Sequence, residues 1–343
     1  MSAHPPRWLV TGLILWAAVA LAGCASVSDR AQNSSLVALA TQEPRPGDEL
    51  PALQPTPDCL AHPFRSLRPS VLPRPRHMPA GSLMHRILKR GHLVVGVDQN
   101  TLRLGYFNPA TSQMEGLDID LVRAVARAIL GNHPDIRYKA ISTKQRETVI
   151  ATSRTRDGKK VHGEVDLVAS AYSITCKRRR RMLFSSVYYT ARQRLLVPEN
   201  DQAFTLSDLD GKKVCATEGS TSLDRLSVNR DRTGVVPQPV PLRPDCLVAL
   251  QEGEVAAISS DDAILFGFCR QDPQTKIVGL SLNVERYGMA INPEYPEFVK
   301  FVNAVLGRLR RSGELRTLRQ RWFQGLTARV HGGSRPQCAR DRT

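Results

Sequence analysis

Short apolar runs and helical stripes alternate through the middle of this chain. His92-Leu93-Val94-Val95-Gly96-Val97 is a β-branched run of strand length. Leu117, Leu121, Val125 and Ile129 recur every four residues and predict a helix that stops near Gly131. Further strands are expected at Val165–Ala169, Arg194–Val197, Lys213–Ala216, Ala256–Ser259, Lys276–Val278 and Tyr287–Ile291. A helix is expected over Glu297–Arg311, where Phe298, Val302, Val305 and Leu309 share one face. Strands alternating with helices predict an α/β fold with largely parallel sheets.

Both ends of the chain depart from this pattern. Arg7 precedes an apolar run from Trp8 to Ala22 that ends in Leu21-Ala22-Gly23-Cys24. The run is shorter than the roughly 20 residues that span a bilayer, so a cleaved signal over residues 1–23 fits better than a membrane helix. The four-residue ending resembles the lipobox of bacterial lipoproteins, which implies cleavage before Cys24 and acylation of its thiol. The plainer alternative is a secretory signal with an incidental cysteine. Residues 24–82 are rich in Pro, Ser, Ala and Gln without a sustained period, and are expected to form a flexible tether; residues 327–343 form a polar tail. What remains after the signal is enough for two domains of about 100–200 residues each.

The net charge of +16 raises the question of a nucleic acid partner. The basic residues are scattered, and the densest run, Lys177 to Arg181, follows a helix-start signal rather than lying in a tail. No nucleic-acid motif accompanies it, so no nucleic acid partner is expected. A solvated face is the simplest reading of most of these arginines, and a positive surface suits a protein held against an anionic membrane. Beyond Cys24 there are six cysteines, Cys59, Cys176, Cys215, Cys246, Cys269 and Cys338, without a CxxC or a zinc-type spacing. Neither a metal nor a cofactor is expected. Some of the cysteines should pair in an oxidising compartment, with Cys215–Cys246 the first candidate.

At five blocks, in order, the chain resembles the family 3 periplasmic solute-binding proteins, which serve polar amino acid ABC transporters. These are Leu93–Val97 followed by Glu115-Gly-Leu-Asp-Ile-Asp-Leu121; Val165–Val168; Thr175-Cys-Lys-Arg178 with Phe184-Ser185 and Tyr188-Tyr189; Leu209–Val214 with Gly219-Ser-Thr221; and Gly253–Ala257 with Asp261-Asp262. The wording around Val97–Thr101 and Lys213–Thr217 is nearest an actinobacterial glutamine-binding lipoprotein branch of that family. The resemblance implies the type II two-lobe periplasmic-binding-protein fold, with two crossover hinge strands and a ligand cleft between the lobes. Lobe 1 would span 83–193 plus 286–326 and lobe 2 would span 194–285, with crossovers at Arg194–Val197 and Arg286–Met289. It also implies a monomer that binds a free amino acid and engages an ABC transporter permease or a membrane sensor.

Carried over by position, Arg178 would hold the ligand carboxylate with its planar fork. Ser173 would add a hydroxyl, and Ala171 a backbone carbonyl for the ammonium. Thr175 reads as the N-cap of the helix that carries Arg178. Ser220 and Thr221 open a helix whose free N–H groups suit a carboxylate, although a simple cap reads the same way. Asp261 matches the ammonium-binding aspartate. Arg146 sits where acidic-ligand binders place an arginine for the distal carboxylate, despite an Arg/Lys/Gly-rich insertion at 153–162. Asp98 stands where some of those proteins have an arginine. It either steadies Arg146 from behind or faces the ligand and selects an amide or a cation. The family's aromatic clamp is replaced by Arg103-Leu104, leaving Tyr106 or Tyr172 as substitutes. A dehydratase on the same fold is the alternative function, but the retained Asp261 favours an amino acid over a keto acid, which has no ammonium.

Overall fold

The computed structural model describes residues 57–154, 160–324 and 326. The expected signal, Cys24, the tether up to residue 56 and the tail 327–343 lie outside the described residues, as do 155–159 of the insertion. In lobe 1, β1 (His92–Val97) runs parallel to β5 (Asp135–Ala140) on one side and β8 (Leu167–Ala169) on the other. The antiparallel strands β15 (Ala290–Ile291) and β9 (Leu183–Phe184) complete the sheet. Helix α3 (Leu117–Leu130) packs its whole apolar stripe inward, with Leu117, Leu121, Val125 and Ile129 all fully buried. Alongside it lie α2 (Leu83–Arg90), α8 (Pro296–Arg311) and α9 (Glu314–Phe323). Full burial of each such side chain is worth about 1.5–3 kcal/mol, which is why a four-residue apolar repeat fixes the helix's facing direction. A small meander of β2 (Asn100–Thr101), β3 (Gly105–Asn108) and β4 (Gln113–Glu115) precedes α3. The insertion forms a hairpin of β6 (Ser153–Arg154) and β7 (Lys160–Val161).

In lobe 2 the sheet order is β12 (Val236–Val240), β11 (Lys213–Thr217), β13 (Ala257–Asp261), β10 (Tyr189–Pro198) and β14 (Thr275–Tyr287). β11 is parallel to both its neighbours, whereas β10 and β14 pair antiparallel from Tyr189↔Tyr287 to Pro198↔Thr275. Helices α5 (Thr221–Thr233), α6 (Arg243–Gln251) and α7 (Asp262–Gln271) cover this sheet. At their lobe 1 ends β10 and β14 meet the first lobe. Tyr188 N donates to Tyr287 O, Ile174 N to Arg286 O and Gly288 N to Tyr172 O. The strand expected at Tyr287–Ile291 is broken at Gly288-Met289, so Tyr287 ends the long lobe 2 strand and Ala290-Ile291 joins the lobe 1 sheet.

Disulfides join Cys215 to Cys246, between β11 and α6, and Cys59 to Cys176. The second corrects the expectation of a free tether up to residue 82. From residue 57 onward the segment is docked on lobe 1 through α1 (Pro57–Ala61), Phe64, Leu67, Leu72 and the buried Met78. Asn303 Nδ2 donates to Ser66 Oγ and to Leu67 O, both at 2.7 Å, and Ser66 Oγ donates to Phe184 O at 2.7 Å. The apolar residues of this stretch bury singly at irregular spacing, a pattern without a period to detect.

Candidate functional site

The parallel strands β8 and β11, together with β13, end at the gap between the lobes, where open α/β sheets place ligand sites. After β8 the chain turns through Ala171, whose φ of +45° is unusual for a residue with a side chain. The turn is held by Asp118, in the first turn of α3, whose Oδ2 accepts from Ala171 N and whose Oδ1 accepts from Tyr188 Oη, both at 2.7 Å. Burial raises the Asp118 carboxyl above its usual range. Helix α4 (Cys176–Arg179) follows, capped by Thr175 Oγ1, which accepts from Arg178 N at 3.2 Å.

Arg178 is 6% exposed; Nη1 donates to Ser173 O at 2.7 Å and Nη2 to Gly219 O at 2.9 Å. Arg146 is 2% exposed and donates to three carbonyls, Thr143 O at 2.8 Å, Ser170 O at 3.3 Å and Gly219 O at 3.0 Å. Both guanidiniums lie over the ring of Tyr172, at 4.0 Å for Arg146 and 4.6 Å for Arg178. Tyr172 is therefore a buried platform for the two arginines, and neither it nor Tyr106, the two residues expected to replace the aromatic clamp, lines the cavity between the lobes. Burial and the neighbouring Arg178 charge pull the Arg146 guanidinium down to about 9, so it stays charged at neutral pH but lacks an anionic partner.

From lobe 2, Ser220 caps α5, its Oγ accepting from Leu223 N at 3.1 Å, and Thr221 begins the helix. Gly219 just before it has φ +71°. Asp261 closes β13. Its Oδ2 accepts from Tyr287 Oη, while its Oδ1 is buried without a hydrogen-bond partner. Burial first, and then the charge of Glu285, push this carboxyl up to about 7. Thr143 Oγ1 and Ser170 Oγ are likewise buried without partners. Buried polar atoms without partners are rare, and two of these, on Thr143 and Asp261, belong to residues that line one gap and mark where a polar ligand can complete the bonding.

Of the eight residues singled out from sequence, Arg146, Ala171, Ser173, Arg178, Ser220, Thr221 and Asp261 line one cavity, together with Thr143, Thr217 and Arg243. Asp98 does not line it. Its Oδ2 accepts from Arg243 Nη1 at 2.8 Å, and Arg243 also donates to Thr101 Oγ1 at 2.8 Å and Ser170 O at 3.1 Å. Asp98 thus does not face the cavity; it pairs with an arginine that reaches across from α6, while its charge still favours the charged form of Arg146. Arg243 was missed because an Arg-Pro-Asp helix start reads as a surface cap, and no local signal points it into the cleft. Asp118 was missed although it lies inside a quoted motif, since its partners are 53 and 70 residues away.

Together these bonds close the lobes on each other. Gly219 O accepts from both Arg146 and Arg178, and Ser170 O from both Arg146 and Arg243. The cavity measures about 20 Å³, room for roughly one water, so with the lobes as they stand it is too small for a larger ligand. The arginines spend their N–H groups here on neutral carbonyl acceptors, whereas charge-assisted bonds to a carboxylate are about twice as strong. Once Asp98 and Arg243 cancel, the site offers two guanidiniums without a carboxylate partner and one carboxylate with an open oxygen. Among the described residues, no group of three or more His, Cys, Asp or Glu side chains could hold a metal, and no helix is long and apolar enough to cross a membrane.

Known proteins share this architecture. ABC transporter glutamine-binding protein GlnH of Bacillus subtilis is 28% identical over 233 residues, 68% of this chain and 81% of the relative. Glutamate-binding protein GluB of Corynebacterium efficiens is 32% identical over 238 residues, 66% of this chain and 76% of the relative. Among solved structures, a mutant of ArgBP from T. maritima superposes with a TM-score of 0.61 at 25% identity, over 70% of this chain and 99% of that one. The model of one family matches residues 93–325, and the chain accordingly belongs to the bacterial extracellular solute-binding proteins, family 3.

Proposed function

We propose that this protein captures a free acidic amino acid, glutamate or aspartate, and binds asparagine or glutamine more weakly. It would do so outside the cytoplasm, anchored through acylated Cys24, for an ABC transporter permease or a membrane sensor. One observation carries the ligand class. Arg146 and Arg178 lack carboxylate partners while Asp261 keeps one buried oxygen open. A dicarboxylic amino acid presents two carboxylates and one ammonium, the complement of that set. Leaving such charges unpaired in a closed cleft is costly, which selects a ligand able to pair all of them. The names of GluB and GlnH agree with an amino acid of this size. A dehydratase acting on a keto acid would leave Asp261 without a cationic partner, so binding is the better reading. The test is isothermal calorimetry of the protein lacking residues 1–23 against the twenty amino acids. Micromolar or tighter heat with glutamate or aspartate is expected. Silence with all twenty would overturn the reading.

A further inference from the structure

The ligand-site helix α4 is only four residues long, too short to hold its own orientation. Its fixing points lie outside it. Cys176, at its first position, is joined to Cys59 in α1. Arg179, beside the ligand arginine, donates through Nη1 to His62 O at 2.9 Å and Pro63 O at 3.2 Å. The same stretch reaches the hinge, because the guanidinium of Arg286, one residue before the end of β14, lies 4.3 Å from the Phe64 ring centroid. Ser66 then bonds Phe184 O in β9, the strand that follows α4.

We infer that residues 57–67 form a strap that positions Arg178 and couples ligand capture to the segment leading towards the N-terminus. Arg178 faces the cleft while its two helical neighbours at positions 176 and 179 are tied to the strap. A shift of α4 on binding must therefore pull on the strap, and release of the strap must loosen the arginine. Phe64 under Arg286 extends the same linkage to a strand that runs between the lobes. Such coupling is reciprocal: if docking the strap raises ligand affinity, ligand must tighten the docking of the strap by the same factor. The inference rests on the reading that Arg178 holds the ligand carboxylate.

The experiment compares wild type with Cys59→Ser/Cys176→Ser by calorimetry with glutamate. It adds hydrogen exchange of the amides of residues 58–67 in the wild type with and without glutamate. The double variant should bind glutamate about tenfold more weakly, within the 5- to 150-fold usual for coupled sites. The same substitutions made on an Arg178→Lys background should cost little further, since the strap acts through that side chain. Wild-type strap amides should exchange more slowly when glutamate is bound. An unchanged affinity in the double variant, or a full additional loss on the Arg178→Lys background, would overturn the inference. If the double variant fails to fold, the exchange measurement decides, and strap amides indifferent to glutamate overturn it. Wild type that binds no amino acid defeats the proposed function instead, so the two failures are distinguishable.

Discussion

At the scale of single residues, the proposed role of Asp261 in holding the ligand ammonium implies that binding depends on pH. Its carboxyl is raised to about 7 in the closed cleft, mainly by burial, and pairing with an ammonium requires the ionised form. Affinity for glutamate should therefore hold between about pH 7 and about 9, where Arg146 begins to lose its charge, and fall below pH 7, approaching tenfold per unit. Below pH 7 binding should release a proton, visible as a calorimetric heat that varies with the buffer's ionisation enthalpy. Absence of that dependence would remove Asp261 from the ammonium site. The raised value also sets the sign for the ligand-free fold. This group's contribution is fully present below its ordinary value near 3.8 and is lost as pH rises through about 7.

On the proposed reading, the guanidiniums divide the work of selectivity. Arg146→Ala should weaken glutamate and aspartate far more than glutamine and asparagine, because only the acids present a second carboxylate. An equal loss over all four ligands would show that Arg146 does not read the side chain. Arg243→Met leaves Asp98 buried without its cation, an imbalance of the kind that costs about 3–5 kcal/mol. Glutamate binding should drop more than glutamine binding, and Asp98→Asn added to that variant should restore the order. Failure of the second substitution to rescue would mean that Arg243 acts by packing alone.

At the scale of elements, α3 does more than fill the core of lobe 1. Its first turn carries Asp118, which holds the Ala171 turn, and its entrance is Gly116 at φ +123°. A Cβ at Gly116 would sit 2.1 Å from Leu104 O, against backbone that has nowhere to go. Gly116→Ala should therefore destabilise by at least about 1–3 kcal/mol, read as a lower thermal midpoint. A midpoint equal to wild type would refute the clash. The apolar stripe of α3 was legible from its spacing, whereas the role of Asp118 was not, because periodicity reports burial and not which distant N–H a carboxylate meets.

For the whole molecule, the residues that join the lobes and the expected lipid site are separated along the chain, with the strap at residues 57–67 between them. The lobes meet through Arg146, Arg178 and Arg243, while the expected lipid site lies far along the chain at Cys24. Cys24→Ser should leave the glutamate dissociation constant unchanged and, if Cys24 carries the proposed acyl chains, move the protein from the membrane to the soluble fraction. Retention in the membrane fraction would point to another anchor.

The sequence by itself determined what depends on local order. The strands at His92–Val97 and Lys213–Thr217, the helix stripes of α3 and α8, the cap at Thr175 and the family motifs all announce themselves within a few residues. So did seven of the cavity-lining residues, since motif position carries them. Only the tertiary structure decided what those residues face. Arg243 neutralises Asp98 across 145 positions, Tyr172 supports two arginines instead of clamping a ligand, and Cys59 ties residues expected to be tether to the ligand-site helix across 117. Charge pairing and disulfide choice are set by distance in space, and in a two-lobed chain that crosses twice between its halves, distance in space is not encoded by spacing along the sequence.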